Sequence, residues 1–212
     1  MELWEIARLT LKVSASAVLV SILLGLPAGT GLALGRFRGR RFLLAVANAG
    51  MGLPPVVVGL TVALMLWRTG PLGGLSLLYT SAAMVLAQVI IAIPIIIALT
   101  AAAVQSLDLR IRLESLSLGA STRQLVFTLW REAKLGLLAA AMAGFGGAIS
   151  EVGAVLMVGG NIKGQTRVLT TAIVMETRMG HFNTAIALSA LLLGLVFIVN
   201  LVLTYLQQGR RQ

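Results

Sequence analysis

The sequence predicts an all-α membrane protein: five transmembrane helices in one domain, 1–212, with the N-terminus outside and the C-terminus in the cytoplasm. Three observations predict it. Hydrophobic residues make up 58% of the chain and charged residues only 11%, against roughly 25% charged in a soluble domain. So little polar surface would leave large apolar patches in water, which excludes a water-soluble globular protein. Second, five apolar stretches fall near 13–35, 43–66, 82–104, 135–158 and 184–206, and a crossing needs about 20 apolar residues at about 1.5 Å rise each. Third, an odd number of crossings places Arg36, Arg38, Arg40, Arg41, Arg110, Arg112, Arg123, Arg131, Lys134, Arg210 and Arg211 on one side. Only Arg8, Lys12, Arg68, Lys163, Arg167 and Arg178 lie on the other. The richer side is cytoplasmic by the positive-inside rule.

The first stretch is too long for the apolar core of a signal peptide, usually about 7 to 15 residues, and reaches Arg36 without a small-residue cleavage pattern. Within it Gly25 and Gly29, and Gly31 and Gly35, are spaced four apart, which permits close helix contact. The basic loop 36–41 (RFRGRR) follows. The second stretch contains Pro54 and Pro55. They remove two amide donors inside a span, so this region should face protein or a water-filled cavity. A kinked, pathway-facing helix is one reading and a kink used only for packing is the other; Pro94 in the third stretch carries the same two readings.

Residues 105–134 are polar and cytoplasmic. Residues 107–118 (LDLRIRLESLSL) suit a helix, Gly119 and Ala120 interrupt it, and Ser121 with Gln124 forms a capping box that starts a second helix. A helix, a tight corner and a helix should result. The small residues at the corner allow another protein's surface to approach closely.

The fourth stretch holds Glu151, the one acidic residue within a span, about 24 Å beyond Leu135 along a helix. An intramembrane carboxylate is a functional-site candidate. It would repel an anion, so a structural role, or a gate closed through pairing with an Arg, ranks above direct substrate contact. Gly146, Gly147 and Ser150 nearby permit close packing. Beyond this span, 167–179 reads as a short amphipathic outer helix with Thr166 as N-cap and Gly180 as C-cap. It would serve as an outer gate or docking surface, or simply lie in the interface; His181 is a surface residue at its end.

The sequence contains no G-x-x-x-x-G-K-[ST], H-E-x-x-H or G-x-S-x-G, so no catalytic residue is predicted. With no cysteine and one histidine, no metal site and no cofactor is predicted either. The +10 charge is compatible with nucleic acid, anionic lipid or an anionic cargo. Because the cations are split among short loops rather than gathered on one face, nucleic acid is disfavoured, and topology and lipid-headgroup contact absorb much of the charge.

Leu118, Gly119, Ala120 and Ser121, followed by Gln124, Leu125, Val126 and Phe127, resemble the cytoplasmic loop of ABC-transporter permeases of the binding-protein-dependent import type. In that family the loop forms a coupling helix docked on the ATPase subunit. The family's Glu six residues before the Gly is Leu113 here, with Glu114 one position later, and its closing Leu-Pro is Arg131-Glu132. Residues 53–60 (LPPVVVGL), 70–73 (GPLG) and 77–80 (LLYT) with Ala87-Gln88 resemble oxyanion permeases. Residues 150–162 (SEVGAVLMVGGNI) resemble the segment shared by molybdate, sulfate and tungstate permeases, and 163–178 is closest to the tungstate group.

The resemblance covers about 10–206. It implies a type I importer permease in the cell membrane, as a homodimer with a pathway along its two-fold axis. It also implies two cytoplasmic ATP-binding subunits and an extracytoplasmic binding protein that delivers tungstate, with molybdate or sulfate as alternatives. Glu114, Leu118, Gly119, Ala120 and Ser121 become the ATPase-coupling candidates, and Pro54, Pro55, Glu151, Gly153 and Asn161 the pathway or gate candidates. The competing class is a self-sufficient channel or secondary transporter. It would need coupling chemistry within the spans, where Glu151 stands almost alone, and no inverted repeat is visible.

Overall fold

Residues 2–208 are described by a computed structural model, and among them every regular element is helical. Arg210 and Arg211, counted above with the cytoplasmic cations, lie outside the described residues. Three helices are long and apolar enough to cross a membrane: α1 (Glu2–Leu34), α4 (Ser81–Gln105) and α10 (Phe182–Gln208). The number becomes five if two bent pairs each count as one span. These are α2 (Arg40–Gly50) with α3 (Pro55–Leu66), bent by 102°, and α6 (Thr122–Glu132) with α7 (Lys134–Ile149), bent by 75°.

The core is built on α4, whose Met84, Ala87 and Ile96 are all buried. Lipid tails are as apolar as these side chains, so close packing has to hold the helices together. Glycines supply it. A Cβ on Gly25 would sit 2.7 Å from Ile96 Cγ2, and one on Gly29 would sit 2.7 Å from the Ile97 carbonyl oxygen. The first four-spaced glycine pair is therefore the seam along which α1 lies on α4. The second pair is not a seam: Gly31 faces open space, and Gly35 meets only the Gly31 carbonyl and the Phe37 ring. On α2, Gly50 receives Pro94 of α4, where a Cβ would come within 2.7 Å of the proline Cβ. Pro94 thus serves packing.

Two of the expected spans are interrupted. The second is two helices meeting at a sharp angle rather than one kinked helix. Pro54 is the N-cap of α3 and Pro55 its first residue, positions where a missing amide donor costs nothing. The prolines start a helix here. In the fourth stretch α7 stops at Ile149, and Ser150 donates its hydroxyl to the Gly146 carbonyl at 2.7 Å. A short helix, α8 (Gly153–Gly159), then resumes. Glu151 therefore sits in a break, not partway along a continuous helix as expected. Glycine-rich sequence on both sides, at Gly146, Gly147 and Gly153, weakens the helix there.

The bundle has two distinct ends. At one, α1 begins beside α9 (Leu169–Arg178), and the Leu169 amide donates to Thr10 Oγ1 at 2.9 Å. At the other, α1 ends beside α5 (Leu109–Ser117) and α6, where Trp130 Nε1 donates to Thr30 Oγ1 at 2.8 Å. Arg40 closes that end of α1 by donating to the Leu32 carbonyl at 2.6 Å and the Ala33 carbonyl at 3.2 Å. A cation on the last carbonyls also suits the helix dipole.

The short helix expected over 167–179 forms as α9, but Thr166 is not its cap. The Thr166 hydroxyl donates to the Gly159 carbonyl and accepts from the Ile162 amide, which ties the loop 161–166 to the end of α8. α9 starts three residues later, at Leu169, with the amide of its N-cap Val168 bonded to Thr171 Oγ1 at 3.2 Å. Gly180, at φ +78°, ends it as expected. The Gly180 and His181 amides bond back to the Thr177 and Glu176 carbonyls in a Schellman motif. His181 is exposed and its Nδ1 lies 2.9 Å from Glu176 Oε2.

Candidate functional site

The helix, corner and helix of 109–132 form as the local sequence predicts. Asp108 caps α5 by accepting from the Arg110 amide at 2.9 Å. α5 ends in a second Schellman motif: the Gly119 amide bonds to Leu116 O and the Ala120 amide to Ser115 O. Gly119 holds φ +78°, a conformation that disfavours any residue with a Cβ. Ser121 and Gln124 make the capping box, with the Ser121 amide on Gln124 Oε1 at 2.8 Å and the Gln124 amide on Ser121 Oγ at 3.4 Å.

The two helices differ in how they are held. α6 buries Leu125 and Leu129 against Val104 and Ala133. α5 has no fully buried residue and packs only its half-buried Ile111 against that cluster: Leu109, Leu113 and Leu116 are exposed, Glu114 is exposed, and Leu118 at the corner is 87% exposed. No atom lies within 4 Å of a Cβ built on Gly119. An anchored helix thus presents a bare, apolar corner, a surface suited to docking on another protein.

The pathway candidates fall into two groups. Pro54, Pro55, Glu151 and Gly153 come together where the two broken spans meet. α3 crosses α8 so closely that a Cβ on Gly59 would lie 2.5 Å from Ala154 Cα, and one on Gly153 would lie 2.8 Å from Val56 Cγ2. Glu151 is buried, and its carboxylate accepts from the Ala154 amide at 2.9 Å, capping α8. Among the described residues no Arg or Lys pairs with it, so of the two roles weighed for it the Arg pairing does not form, and the carboxylate has the structural one of a helix cap. Asn161 is separate, past the far end of α8. It adopts φ +53°, donates to Met175 Sδ at 3.4 Å, and leaves its Oδ1 buried without a partner.

Two further residues hold the break and were not among the site candidates, although Gln88 belongs to a stretch that carries the resemblance. Gln88 on α4 donates from Nε2 to the Ala148 carbonyl at 2.8 Å, and its Oε1 is buried without a partner. Thr170 on α9 donates to the Glu151 carbonyl at 3.0 Å. Gln88 was detectable in principle, as an amide side chain inside an otherwise apolar span. Thr170 was not, because its partner is a carbonyl freed only by the break.

Residues 21–212 match the family described as "Binding-protein-dependent transport system inner membrane component". The chain is 44% identical over 201 residues to the "Probable anion ABC transporter permease protein" of Haloferax volcanii, covering 92% of this chain and 87% of that one. It is 39% identical over 207 residues to the tungstate uptake system permease protein TupB of Peptoclostridium acidaminophilum, covering 98% and 91%. In structure it matches a chain of the inward-facing MetNI methionine ABC transporter at TM-score 0.76 and 18% identity, covering 100% and 95%. That last likeness speaks to the fold alone.

Proposed function

The chain belongs to the family of binding-protein-dependent transport system inner membrane components, and on that premise we propose that it is the permease subunit of a type I ABC importer carrying tungstate into the cytoplasm. The observation that carries the reading is the corner at 118–121: an apolar, unhindered turn on an anchored helix, at the end of the bundle that bears most of the cations. A separate ATPase subunit docks there and supplies the energy, in keeping with a chain that has no phosphate-binding loop of its own. Leu118, Gly119, Ala120 and Ser121 form the contact, with Glu114 beside them.

Counting each bent pair as one span gives five crossings, and the positive-inside count supports an N-terminus outside and a C-terminus inside. Two copies surround the pathway, which runs along their two-fold axis. The exposed apolar stripe of α3, Val57, Leu60 and Leu64, supports a second copy on that face. Pro54, Pro55, Glu151 and Gly153, at the meeting of the two breaks, shape the part of the pathway that rearranges, and Asn161 lies toward its outer mouth. An extracytoplasmic binding protein delivers the anion to the end that carries α9. The likeness to a tungstate uptake permease favours tungstate over molybdate or sulfate. The test is uptake by the reconstituted importer with each of the three anions in competition. Tungstate should displace the other two at equal concentration, and preference for molybdate or sulfate would reassign the cargo within the same family.

A further inference from the structure

The positive-inside count leaves six cations on the outer side, and four of them converge. Arg8 and Lys12 lie one turn apart on one face of α1, Lys163 and Arg167 come from the loop between α8 and α9, and all four line one cavity of about 400 Å³. Among the described residues Glu5 is the one acidic group on its wall, and Gln165 adds a neutral polar group. Among the described residues, neither Arg8, Lys12 nor Arg167 has a carboxylate partner. Arg167 Nε is moreover buried with no acceptor in the protein. The loop that carries Lys163 and Arg167 is held in place by the Thr166 hydroxyl and by the Arg167 amide, which bonds to the Ile162 carbonyl at 3.1 Å.

α1 is 33 residues long, about 50 Å, while the hydrocarbon core is about 30 Å. Its first turns therefore stand at or beyond the membrane surface, where both dissolved anions and lipid headgroups have access. Like charges gathered in one concave site repel one another and raise the local concentration of anions. Arginine and lysine together suit a phosphate-shaped group, through forked and single N–H donors.

We infer that this cavity is a binding site for a tetrahedral oxyanion group, filled either by a dissolved anion or by the phosphate of an anionic lipid. The site stands on its own cations and does not rest on tungstate being the cargo. The test uses the full chain in nanodiscs, without ATP, and inorganic phosphate as the probe. In phosphatidylcholine nanodiscs the dissolved-anion form predicts saturable binding of radiolabelled phosphate, weakened by added salt. The double substitution Arg8→Gln with Arg167→Gln should reduce it roughly tenfold or more, the effect of losing charge-assisted hydrogen bonds. The lipid form predicts that phosphatidylglycerol displaces the phosphate and stays bound in native mass spectra of the parent chain but not of the double variant. Lys12→Glu, at an exposed position, gives a second variant whose folding can be verified by thermal unfolding, and it should weaken both readouts. Absence of phosphate binding together with absence of retained phosphatidylglycerol overturns the inference. So does binding that is the same in parent and variants.

Discussion

The Glu151 carboxylate accepts the Ala154 amide at 2.9 Å, so this buried carboxylate caps a helix instead of closing an ion pair. The order of effects at this position follows. Glu151→Gln keeps an acceptor for the Ala154 amide and should cost only a few tenths of a kcal/mol, whereas Glu151→Ala removes it and should cost about 1 kcal/mol. Thermal unfolding of the two purified variants checks the order, and equal stability would show that the carboxylate does not hold the break.

The crossing of α3 and α8 depends on the absence of a side chain at Gly59. A Cβ there would lie 2.5 Å from Ala154 Cα, a backbone atom with little room to give. Gly59→Val should destabilise the protein by about 1 to 3 kcal/mol, read as a lowered unfolding temperature or lost membrane expression. Gly31→Val, at a site with open space around it, should have no comparable effect.

At the corner, stability and coupling should separate. Gly119→Phe forces a φ of +78° on a residue with a Cβ, a strain of about 1 to 2 kcal/mol, yet the space around that Cβ is open. Leu118→Glu alters an 87% exposed residue and should leave stability within about 0.5 kcal/mol. Both should lower co-purification of the ATPase subunit and transport driven by it, measured in the same preparations as unfolding. Normal coupling in both variants would remove the corner from the docking surface.

Trp130 ties the coupling region to α1 through Thr30 Oγ1 at 2.8 Å. Trp130→Phe loses that hydrogen bond and some packing, and should cost about 1 kcal/mol. If α6 transmits movement to the bundle through this tie, uptake per ATP hydrolysed should fall while ATPase binding is kept. The ratio of the two rates measures this.

What could be read from the chain follows from the range of the interactions involved. The capping box at Ser121 and Gln124, the left-handed turn at Gly119 and the glycine cap at Gly180 are set within four residues, and all three were legible. So was the seam at Gly25 and Gly29, because close helix contact requires small residues at helical spacing. Hydropathy, in contrast, registers apolar content and not helix continuity, so the breaks at 51–54 and 150–152 were hidden inside apolar stretches. The placement of Glu151 partway along a span, and the Arg pairing weighed for it, descend from that: its partner is a backbone amide that is free only because a new helix begins at Gly153. Thr166 had the chemistry of a cap, but tertiary partners at Gly159 and Ile162 claimed its hydroxyl first.

The most direct test of the account is tungstate uptake into proteoliposomes holding this chain with its ATPase subunits, with binding protein and tungstate outside and ATP enclosed within. Uptake should require both ATP and the ATPase subunits, and should be lost with Gly119→Phe. Uptake that persists with the permease alone would contradict the account and identify the chain as a self-sufficient transporter.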